Sequence, residues 1–122
     1  MTDTATTTSN KDLVRRFYAE VFNTGDTGSA HRYLRPDYLQ RGDGVESGLE
    51  PWTVFLRGLH EKFPELRYEV QEVFGDGDHV IVHGRFRRAP DDPGSEIVDF
   101  FRVRDGLLAE HWEVIQRPAT AA

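Results

Sequence analysis

The chain has 122 residues, 38% of them apolar and 30% charged, with a formal net charge of -6 and no cysteine. That length makes one domain with one core and room for one modest cavity. The acidic balance excludes nucleic acid or an anionic membrane as the main partner, and the lack of cysteine excludes disulfides, zinc-thiolate sites and thiol chemistry. No stretch approaches the roughly 20 apolar residues that span a bilayer, and no apolar secretory core is seen, so the cytoplasm is the expected location.

Residues 1–9 are Thr-rich and unpatterned and are expected to be a disordered lead-in. Ser9 or Asn10 can cap a first helix, in which Leu13, Val14, Phe17, Val21 and Phe22 recur at helical spacing before Gly25. A second, short helix starts at Asp26 or Thr27, runs through Ala30, Tyr33 and Leu34, and ends at Pro36. Tyr38-Leu39-Gln40 reads as a short strand, and the loop from Gly42 to Gly48 lies where a pocket rim belongs. A third helix carries Trp52, Phe55, Leu56, Leu59 and Phe63 on one stripe, with Pro51 in its first turn and Pro64 as its stop.

After Pro64 the period changes from about 3.6 to about 2. Leu66 to Phe74 and His79 to Arg88 make one hairpin across Gly75-Asp76-Gly77-Asp78. Ile97 to Gln116 makes a second, turned at Arg104-Asp105-Gly106, where glycine accepts the positive φ of a tight turn. Three N-terminal helices packed on a strongly curved antiparallel sheet give an α+β fold shaped as a cone with an interior pocket. One domain is expected over 10–117, with 118–122 as a flexible tail.

The second hairpin carries more polar groups than packing requires. On its last strand Glu110, Trp112, Val114 and Gln116 share one face, and His111, Glu113 and Ile115 share the other. Both faces mix polar and apolar groups, so periodicity alone does not choose the inner one. Glu110 and Glu113 lie on opposite faces and do not form a two-carboxylate site. His83 and His111 are the strand histidines placed to approach the cavity, and histidine is the usual base near neutral pH. His79 and His83 are about 13 Å apart along a strand, too far to share a metal, and no metal or other cofactor is expected. Asp99, between Val98 and Phe100, is costly to bury ionised. It is either a carboxyl with a raised pKa or the partner of Arg85, Arg87 or Arg102.

Together these segments resemble the nuclear-transport-factor-2-like superfamily, and within it the SnoaL-like polyketide cyclases and ketosteroid isomerase relatives. The resemblance runs from Lys11 to Gln116. It is carried by VRRFYAEVFNTGD (14–26), YLRPDYLQ (33–40), the segments within Phe63 to Val82, and VDFFRVRDGLLAEHWEVIQ (98–116), which is similar to the "EHWDVIQ" ending of SnoaL-like proteins. It implies that Tyr18, placed before Asn23-Thr24-Gly25-Asp26, and Asp99, in a D-x-x-R pattern, donate hydrogen bonds to a substrate oxygen. It places one family base at or beside Gly42, next to Asp43, and the other at Gln116, neither of which holds a carboxylate. His83 or Asp43 then becomes the base by elimination. The resemblance turns Trp112 and Gln116 toward the cavity, with Gln40, Trp52, Phe55 and Phe101 as further substrate-binding residues. It implies a homodimer and cofactor-independent proton transfer next to a carbonyl, giving isomerisation, cyclisation or aldol-type condensation of a small apolar, polyketide-like molecule. The alternative is a member that binds a small ligand, or dimerises, without catalysis.

Overall fold

The computed structural model describes residues 4–42 and 44–118, with Thr4 described by its backbone alone. Helix α1 (Thr4–Phe17) passes into one π-helical turn, Tyr18–Phe22, closed by the Asn23 N–H on the Tyr18 carbonyl at 2.9 Å. The helix begins ahead of the expected Ser9 or Asn10 cap. Asn10 is buried within it, and its amide donates to the Gly77 carbonyl at 3.1 Å, tying α1 to a sheet turn. A 3-10 turn spans Thr27–Arg32, and strand β1 spans Leu34–Gln40. Pro36 therefore lies inside a strand and does not end a helix. Proline is tolerated there because β1 is an edge strand.

Helix α2 (Leu49–Lys62) follows the rim loop. Strands β2 (Arg67–Asp76), β3 (His79–Arg87), β4 (Ser95–Arg104) and β5 (Leu107–Gln116) form an antiparallel meander. The sheet order is β1-β5-β4-β3-β2, and β1 pairs with β5 in parallel, so the sheet is mixed and open. Asp105 and Gly106 turn the last hairpin with φ of 54° and 75°, the pair of positive angles that matches strand twist.

Two irregularities in the antiparallel meander curve the sheet. The β2–β3 ladder skips a residue between Val70 and Glu72, and the β4–β5 ladder shifts between Arg102 and Val103. Such bulges bend a strand and increase its twist. The concave face closes over α1 and α2 and buries Val14, Phe17, Leu56, Val80, Val82 and Phe101. Among the described residues no helix is long and apolar enough to cross a membrane.

Candidate active site

The concave face and the two long helices enclose a cavity of about 640 Å³. Its wall is largely aromatic, from Phe17, Phe22, Trp52, Phe55, Phe86 and Phe101. Val45 of the rim loop also lines it, so that loop does sit at the cavity.

One polar cluster crosses this apolar wall. Asp99 of β4 is 2% exposed and accepts three hydrogen bonds. Its Oδ2 receives the Tyr18 hydroxyl at 2.7 Å and the Tyr68 hydroxyl, and its Oδ1 meets His111 Nε2 at 2.7 Å. On its other side, His111 Nδ1 lies 3.0 Å from Gln40 Nε2 and 3.2 Å from Gln40 Oε1. Gln40 Oε1 in turn accepts the Tyr38 hydroxyl at 2.5 Å. Either end of the Gln40 amide therefore fits the ring, as acceptor to an Nδ1–H or as donor to a bare Nδ1. The chain of contacts joins β1, β5, β4, the π-helical turn and β2 across the cavity wall.

Electrostatics follow from this geometry. Burial pushes the Asp99 carboxyl upward, but the hydrogen bond and charge of His111 and the hydroxyls of Tyr68 and Tyr18 outweigh it. The group is held below its ordinary value. Burial and the adjacent Asp99 carboxylate push both phenols above theirs. Asp99 is thus an ionised acceptor, and both tyrosines remain donors to it. The protonated, donating Asp99 that the resemblance implied is replaced by the opposite arrangement, because three donors converge on its oxygens. The arginines considered as its partners are also elsewhere: Arg85 pairs with Glu96, Arg87 with Glu69, and Arg102 with Glu110.

Glu113 lines the cavity on the same face of β5 as His111 and stands opposite Asp99 in the β4–β5 register. One donor atom from each of Asp99, His111 and Glu113 falls within 4.8 Å of the others. Donors of these types suit a cation, but the Asp99 oxygens already accept from Tyr18, Tyr68 and His111.

The residues singled out from the sequence divide between the two faces of the sheet. Tyr18, Gln40, Trp52, Phe55, Phe101 and Asp99 line the cavity. His83 does not. It lies on the convex face, with Nε2 2.8 Å from Glu96 and Nδ1 3.5 Å from Glu72. Strand alternation gives β3's inner face to Val80, Val82 and Gly84, so His83 cannot serve as the base of this cavity. Trp112 stacks on Phe100 at 5.5 Å on the convex face, and Gln116 is exposed on that face at the end of β5. The bulge explains their placement. An unbroken ladder from the Arg104–Leu107 pair would set Trp112 opposite Asp99, whereas the extra residue near Ala109 sets Glu113 there. Asp43 lies outside the described residues.

Tyr68 and Glu113 were not singled out as site residues from the sequence, and His111 was passed over as base in favour of His83. The signal for His111 and Glu113 was their shared face with Ile115. Nothing local marks Tyr68, because its contact with Asp99 depends on the whole sheet.

A family model of the SnoaL-like domain matches residues 14–111. The fold is that of the nuclear-transport-factor-2-like class, and the chain belongs to the SnoaL-like domain family. TsrD from Streptomyces laurentii is 24% identical over 93% of this chain and 90% of its own, with a TM-score of 0.76. A candidate SnoaL-like polyketide cyclase from Jannaschia sp. CCS1 is 23% identical over 94% of this chain and 90% of its own, with a TM-score of 0.78. An NTF2-like protein of unknown function from Mesorhizobium loti is 18% identical over 90% of this chain and 93% of its own, with a TM-score of 0.73. No curated protein matches the sequence.

Proposed function

We propose that the cavity catalyses proton transfer next to a carbonyl in an apolar, polyketide-like molecule, as an isomerase or cyclase that needs no cofactor. The observation that carries this reading is the 2.7 Å contact between Asp99 and His111 in an aromatic wall, with Glu113 on the same strand face. Glu113 removes the proton from the carbon beside the carbonyl. The His111 ring, fixed by Asp99 at Nε2, directs an Nδ1–H at the oxygen on which charge develops, replacing Gln40 Oε1 as its acceptor. Donors held ready in a site that excludes water are worth far more than in solvent. Asp99 carries no proton in this scheme; it orients the ring through the 2.7 Å contact at Nε2.

The test is hydrogen–deuterium exchange at the acidic carbon of aromatic β-keto esters in D2O, followed by proton NMR. The parent protein accelerates exchange, and Glu113→Gln lowers the rate by about 100-fold or more. Exchange no faster than in buffer, or a parental rate in Glu113→Gln, would overturn the proposal.

A second reading is a ligand-binding protein without turnover. It is favoured by the completeness of the polar network: among the described residues no buried side-chain nitrogen or oxygen lacks a partner. It predicts binding of the same esters with no exchange. In either case the convex face, with the Phe100–Trp112 stack and Val114 at 61% exposure, supports a two-fold dimer. Sedimentation equilibrium at micromolar concentration tests that state, and a monomer there removes it.

A further inference from the structure

Tyr68 stands on β2, but the carboxylate that it meets stands on β4, with β3 between them. The phenol must therefore lie flat across β3. The residue of β3 beneath it is Gly84, paired with Val70 on one side and Ile97 on the other. A Cβ at Gly84 would overlap the Tyr68 ring at Cε1, Cζ and the hydroxyl oxygen, closer than any real Cβ approaches. The backbone of Gly84 is not in the left-handed region, so glycine is needed here for space and not for conformation.

The other side of Tyr68 is held as closely. β2 is an edge strand, and the outward polar groups of Tyr68 have no sheet partner. Asn23 meets both. Its Oδ1 accepts the Tyr68 N–H at 2.7 Å, and its Nδ2 donates to the Tyr68 carbonyl at 3.0 Å. Asn23 also closes the π-helical turn onto Tyr18, so one residue ties down both phenols. The two rings stack at 4.0 Å.

We infer that Asn23 and Gly84 are positioning residues that seat the Tyr68 hydroxyl on Asp99, and so hold the carboxylate that orients His111. Gly84 opens the path across β3, and Asn23 clamps the strand edge from which the phenol starts. The groups facing Asp99 are Tyr18 from the π-helical turn, Tyr68 from β2, and His111 and Glu113 from β5. Tyr38 lies one step further, through Gln40. β3 contributes Val82 and Gly84, neither of which titrates. The consequence for turnover rests on the proton-transfer reading above. The seat itself does not, and it is read without substrate.

The test is a pH titration of the Asp99 carboxyl by carbon-13 NMR on aspartate-labelled full-length protein. A hydroxyl donated to the carboxylate favours its ionised form, so losing that hydroxyl moves the titration midpoint to higher pH. Tyr68→Phe, Gly84→Ala and Asn23→Ala each raise the midpoint by about 1 pH unit, a tenfold change in proton affinity. Gly84→Ala adds no further rise in a Tyr68→Phe background, because both act through one hydroxyl. Asn23→Ala introduces no clash and gives the reading if Gly84→Ala does not fold. Variants that melt at lower temperature with an unmoved midpoint would overturn the inference, as would additive shifts in the double variant. Exchange activity tests the proton-transfer reading separately, and either can fail while the other stands.

Discussion

The rings of Tyr18 and Tyr68 stack with their planes 7° apart, and both hydroxyls end on the same oxygen of Asp99. Two phenols from elements far apart in sequence thus share one buried charge. Tyr18→Phe removes one donor and is expected to cost about 1.5–3 kcal/mol, the range for a hydrogen bond to a charged group. The Tyr18→Phe/Tyr68→Phe double variant loses more than the sum of the two, since either phenol alone keeps Oδ2 partnered. Urea unfolding of the four proteins measures the coupling, and strict additivity would contradict the shared-oxygen arrangement.

Asp99 links stability to acid. Its folded value lies below the unfolded value of about 3.9, so its contribution is present above that pH and is lost as pH falls through the folded value. Asp99→Asn destabilises the protein at pH 6 and flattens the loss of stability below pH 4. A residual slope belongs to Asp37, Asp92, Glu96 and Glu110, each also held low by arginine or histidine partners. Urea midpoints collected between pH 2.5 and 6 show whether the slope falls.

His83 gives the opposite sign. Its hydrogen bonds to Glu96 and then Glu72 raise its folded value above about 6.5. That contribution is complete below the unfolded value and disappears as pH rises through the folded one. His83→Gln should lower the melting temperature at pH 5.5 and leave it nearly unchanged at pH 9. Ligand affinity should not move at either pH, because the side chain lies on the convex face. Equal losses at both pH values would show that the contact is not ionic.

The two tryptophans of the chain report on opposite faces. Trp52 is 5% exposed, 5.3 Å from the Phe17 ring and part of the cavity wall, whereas Trp112 stacks on Phe100 outside it. Fluorescence quenching by an aromatic keto ester should survive Trp112→Phe and be lost in Trp52→Phe. Trp52→Ala is expected to cost about 3–5 kcal/mol by leaving a void. Quenching that follows Trp112 would place the ligand outside the cone.

Much of the fold was legible because it depends on local signals. The Asp105-Gly106 turn, the helical stripe of Trp52, Phe55, Leu56 and Leu59, and the change of period after Pro64 each follow from neighbours in sequence. Tyr18 and Asp99 were reached through the resemblance, and they do meet. The errors came where a long-range fact overrode a local one. Pro36 reads as a helix stop until β1 is known to be an edge strand. Trp112 and Glu113 exchange faces through one extra residue near Ala109, which no composition rule marks. His83 and His111 look alike in sequence, and only the pairing of β3 and β5 with their neighbours separates an ion pair on the convex face from a ring in the cavity.

The parallel pairing of β1 with β5 also sets an order of assembly. Leu34 is matched to Leu108 and Gln40 to His111, so one of the earliest strands waits for the last. Closing so long a loop is entropically slow, and pairings of this kind lengthen folding times. β1 has no sheet neighbour other than β5, so it stays unpaired until β5 is in place. The contact between Gln40 and His111 depends on that pairing, so a change that displaces β5 removes the site and an edge of the sheet in one step.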